Sequence, residues 1–150
     1  MKVAVGADHA GYLLKERVKH YLESHGHTVL DMGTSSTEST DYPQYAFKVA
    51  EAVRDGVADR GVLVCDTGNG IAIAANKVEG IRAALVIDPK HAEMSRRHND
   101  ANVLVLGSAI LPEALEVPTL DTWFSARFDG GRHARRIAQI LAYERTHERR

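Results

Sequence analysis

Residues 62–77 read VLVCDTGNGIAIAANK, and this stretch holds the only cysteine of the 150-residue chain. The apolar run VLVC has the length and β-branched content of a buried strand. Asp66, Thr67, Gly68 and Gly70 then turn the chain, and the Ala-rich segment after them is helical in character. A strand, a glycine turn and a helix in succession form the first half of a βαβ unit.

The same alternation extends in both directions. Toward the N-terminus, KVAVGA (2–7) predicts a strand, and Leu14, Val18, Tyr21 and Leu22 place one apolar side on a helix over 12–22. TVLDMG (28–33) is a second strand, followed by the polar loop TSSTESTD (34–41) and an amphipathic helix marked by Ala46, Val49, Ala50 and Val53. Beyond the third strand (61–65) and its helix come RAALVI (82–87), a helix from Pro89 to about residue 97, and NVLVLG (102–107). Two helices close the chain, over 112–126 and 131–147. Strands alternating with helices imply right-handed crossovers and a parallel sheet covered on both faces. Nearly continuous apolar strands fit that burial. The expectation is one doubly wound, Rossmann-like α/β domain over 1–150, with a five-stranded parallel sheet, helices on both faces and a C-terminal helix.

Composition bounds the function. Hydrophobic residues make up 44% and charged residues 26%, with a net charge of −1. That balance gives no reason to expect nucleic acid or a membrane as partner, and no apolar run reaches the 18 or so residues of a spanning helix. A cytoplasmic protein is expected. A single thiol excludes a disulfide framework or a thiolate cluster.

Ligands of such sheets bind outside the carboxyl ends of the strands. Asp8 and His9 follow the first strand there, and residues 65–70 follow the third. Spacing removes several chemistries. There is no CxxC pair, and Ile71 stands where a phosphatase-type cysteine needs its Arg. GADHAG (6–11) is not GxGxxG, and neither a P-loop Lys-Ser/Thr pair nor HExxH is present. What remains is a turn whose backbone N–H groups lie at a helix N-terminus. Beside it Cys65 is either a nucleophile or base, or a buried structural residue preceding an N-cap made by Asp66 or Thr67.

Two basic segments complete the inventory. Residues 127–150 carry seven Arg against Asp129, Glu144 and Glu148. Within GGRHARR (130–136), Arg132 and Arg136 share a helix face and continue a row through Ile140, a fork suited to phosphate at the edge of the buried stripe. In RRHNDANVLVLG (96–107), His98 and Asn99 close a helix at the amino edge of the sheet, opposite Cys65. If both serve one site, two chains must build it. His20, His25, His27, His91 and His147 need no role, and Trp123 and Phe124 belong to a core or an interface.

Taken in order, GADHAG, Asp41-Tyr42-Pro43, Cys-x-Thr-Gly-x-Gly with IAIAANK, RRHNDANVLVLG and GGRHARR resemble the type B ribose-5-phosphate isomerase family, which includes the galactose-6-phosphate isomerase subunits. The resemblance spans nearly the whole chain. It implies interconversion of an aldose and a ketose phosphate through an enediolate, without metal or cofactor. It assigns Cys65 as the base, Thr67 to proton transfer at the oxygens and residues 66–70, including Asp66, Gly68, Asn69 and Gly70, to the enediolate. His98 would open the sugar ring, with Asn99 beside it. Asp8 and Tyr42 would hold hydroxyls, while His9, Arg132 and Arg136, with His133 nearby, would hold the phosphate. It further implies dimers, or dimers of dimers, with shared sites. Two positions depart from the pattern: Asp66 stands where the family usually has Gly, and Ala109 where some relatives carry a phosphate-binding Arg. The sugar is therefore ribose 5-phosphate or another pentose, hexose or tetrose phosphate, and a non-catalytic sugar-phosphate module is the alternative of a different class. An Asp66 pointing outward as N-cap or touching the substrate is the expected accommodation.

Overall fold

The computed structural model describes residues 1–147. Five strands, β1 (Lys2–Ala7), β2 (Thr28–Asp31), β3 (Arg60–Cys65), β4 (Ala83–Leu85) and β5 (Val103–Gly107), form one all-parallel sheet in the order β2-β1-β3-β5-β4. Side-chain alternation divides β3 between two cores. Val62 and Val64 pack with α1 (Tyr12–Ser24), α4 (Pro89–Arg97) and α5 (Glu113–Ser125) around the fully buried Trp123. Leu63 and Cys65 face α2 (Tyr42–Arg54) and α3 (Asn69–Ala75). The expected five-stranded doubly wound sheet is what forms, and Trp123 is core.

Element ends differ from expectation where side chains replace the ladder. The β4 ladder stops at Leu85, and the Ile87 N–H turns to His91 Nδ1 at 3.3 Å while Asp88 caps α4 through the His91 N–H at 2.7 Å. β2 ends at Asp31, whose side chain accepts from the Gly33 N–H at 2.9 Å. α2 begins earlier than its apolar stripe, at Tyr42, because Pro43 presets the first turn.

The last helix, α6 (Arg132–His147), buries only His133 and Ile137. Arg132, Arg136 and Ile140, expected as the row at the edge of the stripe, are exposed, Ile140 at 53%. The buried line is rotated by one residue because the helix lies along the rim, and its outer face has no covering from the described residues of this chain.

α1 is tied to the edge strand β2 by charge. Lys15, 1% exposed, donates to Asp31 Oδ1 at 2.8 Å, and Lys19 donates to Oδ2 at 2.7 Å. Burial pushes the Asp31 carboxyl up, but the bonds from Lys15, Lys19 and Gly33 overcome it and the net shift is downward. Asp31→Asn is expected to lower stability by about 1–3 kcal/mol, because the Lys15 charge stays buried with only Glu16 beside it. A carboxyl with a depressed folded pKa stabilises above its unfolded value and loses that contribution as pH falls. Urea unfolding from pH 7 to pH 3 is therefore expected to show the wild type and Asp31→Asn converging in acid.

Candidate active site

Three loops meet at the carboxyl edge. The pairing of Ala7 with Val64 and of Cys65 with Gly107 brings the ends of β1, β3 and β5 level. Ser108 Oγ donates to the Ala10 carbonyl at 3.0 Å and to that of Cys65 at 3.3 Å, stitching all three together. Sequence reasoning passed over Ser108, since one Ser after a glycine carries no signal of its own.

Cys65 is 5% exposed, and its sulfur accepts the Gly68 N–H at 3.2 Å. That bond fixes the side chain and supplies a donor to the thiolate form. Gly68 is the N-cap of α3 at φ 85, so neither Asp66 nor Thr67 caps the helix. The N-cap reading of Asp66 is thereby overturned: the residue is exposed, and its carbonyl accepts from Ala109 N at 2.9 Å. Thr67 Oγ1 accepts the Asn69 N–H at 3.3 Å. Two N–H groups of the turn are thus engaged, and Gly70 and Ile71, in the first turn, have no acceptor within the helix.

Tyr42 lies against this turn, because a Cβ on Gly70 would fall 2.5 Å from its Cζ. Asp8 is buried and accepts the Gly11 N–H at 3.1 Å through one oxygen. His9 Nδ1 is 3.2 Å from both the N–H and the carbonyl of Thr40, which ties the 34–41 loop to the site and turns Nε2 away from that contact. Asp8, His9, Tyr42, Cys65 and the turn of Asp66, Thr67, Gly68, Asn69 and Gly70 therefore share one edge.

The remaining expected residues lie at the other edge. α4 runs back against the strands, so His98 and Asn99 emerge where the strands begin. There the His98 and His133 rings stack, with centroids 4.2 Å apart and planes at 9°. Asp129, not singled out from sequence, joins them, with ligand atoms of all three residues within 4.8 Å of one another. Arg132 and Arg136 follow in α6, both exposed. Burial and the charges of His98, Arg132 and Arg136 push the His133 imidazole below its usual pKa, against the opposing pull of Asp129. Residue types alone would suit a metal ion. However, Arg97 already forks both Asp129 oxygens, at 3.1 and 3.2 Å, and stacked rings aim their lone pairs in parallel rather than at one point.

Strands of five or six residues put roughly 15–20 Å between the two edges. One chain thus presents two groups of candidate residues: a thiol, a carboxylate, the His9 imidazole and N–H donors on one rim, and two imidazoles with guanidiniums on the other.

This fold and these groups define a small doubly wound α/β protein with a thiol, a carboxylate and free N–H donors gathered at its strand ends. The chain belongs to the ribose/galactose isomerase family, whose model matches residues 3–140. It is 48% identical over 143 residues to ribose-5-phosphate isomerase B of Escherichia coli, covering 95% of this chain and 96% of that protein. The solved structure of ribose-5-phosphate isomerase B from Clostridium thermocellum superposes with a TM-score of 0.96 at 49% identity, over 97% of this chain and 99% of that one. That of Mycoplasma genitalium, with bound ribulose-5-phosphate, gives 0.91 at 39% identity, over 96% of each.

The two glycines of the turn differ in what they forbid. At Gly68 a side chain meets both a positive φ and Leu85 Cδ1 at 2.4 Å; at Gly70 it meets only the ring of the partly exposed Tyr42. Gly68→Ala is expected to cost more than about 1 kcal/mol of stability and Gly70→Ala distinctly less, as urea midpoints will show.

Proposed function

We propose that this chain is a cofactor-independent aldose–ketose isomerase that interconverts ribose 5-phosphate and ribulose 5-phosphate through an enediolate, residues 1–150 acting as one isomerase domain. The observation that carries the reading is the Cys65 sulfur held by the Gly68 N–H beside the first turn of α3. The relatives support it, being ribose-5-phosphate isomerases, one with ribulose-5-phosphate bound.

In this reading the Cys65 thiolate removes the proton at C2 and returns it at C1. Thr67 moves the proton between O1 and O2. The Gly70 and Ile71 N–H groups meet the developing oxyanion, where one donor is typically worth ~10²–10³ in rate. Asp8, through its second oxygen, and Tyr42 hold sugar hydroxyls. His98 opens the ring with Asn99 alongside, and His9, Arg132 and Arg136 hold the phosphate, whose binding energy keeps C1 and C2 in place. His133 supports His98.

Two half-sites on opposite rims support a complete site made by two copies, as a homodimer or a dimer of dimers. Ile73 on α3 is 63% exposed, and Ile140 and Tyr143 on α6 are 53% and 66% exposed. Association that covers these apolar side chains brings the α6 arginines of one copy toward the α3 turn of the other. No helix of the described residues is long and apolar enough to cross a membrane, and a cytoplasmic place fits a phosphorylated sugar. An exposed carboxylate at Asp66 and the methyl of Ala109 favour a second reading, a different pentose, hexose or tetrose phosphate at the same site.

Proton NMR of ribose 5-phosphate in D₂O tests the chemistry. Deuterium at C2 together with ribulose 5-phosphate is expected, and both are to vanish in Cys65→Ala. Exchange that survives in Cys65→Ala moves the base to Asp66; no exchange in the wild type moves the search to a panel of other sugar phosphates. Thermal stabilisation by those sugars without turnover identifies a binding module instead. The shared site has its own test. Cys65→Ala and His98→Asn, each inactive alone, are expected to regain about a quarter of wild-type activity when co-expressed as a random mixture, since a mixed two-fold dimer keeps one intact site. Sites contained within one chain regain none.

A further inference from the structure

The ring-opening cluster contains one carboxylate, and its setting assigns it a task. We propose that Asp129, clamped by Arg97, is a positioning residue that holds a single proton on the stacked His98–His133 pair. The proposal rests on the reading of His98 as the group that opens the sugar ring.

The clamp is specific. Arg97 Nε donates to Asp129 Oδ1 at 3.1 Å and Nη2 to Oδ2 at 3.2 Å, while the Asp129 N–H donates to the Arg97 carbonyl at 3.0 Å. Glu93, one turn back on α4, accepts from Arg97 Nη1 at 3.0 Å and keeps the guanidinium in line. Three bonds between two residues join the end of α4, which carries His98, to the 126–131 loop, which delivers His133 and the α6 arginines. A bidentate guanidinium–carboxylate pair sets direction as well as distance. At the rim a lone surface pair contributes little stability, so the value of this one lies in what it orients.

The electrostatics require such a group. Rings stacked 4.2 Å apart set two imidazolium charges face to face, which disfavours a proton on both at once. Facing the pair are Arg132 and Arg136 from α6, whose charges disfavour a proton on His133, and Arg97 from α4, which forks Asp129. Asp129 faces the pair from the loop with the opposite sign, and Glu93 is spent on Arg97. Ring opening moves the proton of the anomeric hydroxyl to the ring oxygen as the C1–O4 bond breaks and C1=O forms. One imidazolium gives its proton to the ring oxygen and, neutral, takes the hydroxyl proton in return, so the pair needs one proton at the start and has one at the end. A phosphate site built of arginines alone would strip it.

Ribulose 5-phosphate has no ring to open, because the hydroxyl that would close it carries the phosphate. Its hydrogen exchange at C1 in D₂O therefore reports the enediolate step apart from ring opening. Asp129→Asn is expected to lower kcat for ribose 5-phosphate about 10–100-fold, with exchange into ribulose 5-phosphate within about twofold of wild type. The alkaline limb of the ribose 5-phosphate profile is expected to move to lower pH, and Asp129→Glu to restore it. Arg97→Lys, which keeps the charge and loses the fork, is expected to lower kcat with the limb in place. Equal loss of both reactions in Asp129→Asn, or a limb that does not move, overturns the proposal. Unfolding midpoints of the variants show that the readout comes from folded protein. His98→Asn separates the two levels of inference: if it spares ribulose 5-phosphate exchange and abolishes ribose 5-phosphate turnover while Asp129→Asn changes neither, the clamp fails and the reading of His98 stands. If His98→Asn abolishes both or neither, that reading itself fails.

Discussion

The carboxyl edge hangs on the contact between the Thr67 carbonyl and the bare Cα of Gly107, where a Cβ would sit 2.4 Å from that oxygen. Because β3 and β5 end level, the turn after β3 has to lie directly over the end of β5, and no side chain can stand between them. The turn then has one way to reach α3, through a left-handed residue at Gly68, whose N–H is thereby pointed at the Cys65 sulfur. Thiol placement, N–H placement and the seat of Tyr42 on Gly70 are consequences of that single close approach. Backbone packing, rather than any long-range charge, puts the thiol, the N–H donors and Tyr42 together.

An all-parallel sheet has a cost in reach. Every strand end lies on one rim and every helix return on the other, so groups carried by the ends of strands and those carried by the ends of helices are separated by the full depth of the sheet. Here Cys65 and His9 end up on the carboxyl rim, while His98 and His133 are left on the other. Pairing two copies brings opposite rims together with no extra chain length. The exposed apolar side chains of α3 and α6, Ile73, Ile140 and Tyr143, would be covered in the proposed pairing.

The sequence showed the architecture because its apolar runs are long and its punctuation strong: all five strands and all six helices lie where periodicity, Gly and Pro put them, with ends displaced by a few residues. Those displacements arise at Asp31, Asp88 and His91, polar side chains that take over backbone bonds the ladder would otherwise use. The residues of the carboxyl rim were legible because they are contiguous motifs. Strand order was not, since the β4 and β5 runs are alike in composition and only their flanking caps differ. Asp66 shows another limit. A residue type that caps helices stood at a plausible position, yet the positive φ of Gly68 moved the cap two residues onward.

Asp129 marks where reading by residue type stops working. In sequence it is one of three acids among seven arginines in a basic tail, and by composition it merely dilutes the charge. Its meaning comes from a partner 32 residues away and from two rings that the sequence separates by 35 positions. In the proposed reading, a phosphate site and an acid–base site make opposite demands on the same volume: the first needs excess cation, and the second needs a proton that excess cation expels. Separating them in space would lose the phosphate's hold on the reacting carbons, whereas one forked carboxylate between them satisfies both. The position of a lone acid inside a basic cluster therefore says more about chemistry than the cluster's net charge does.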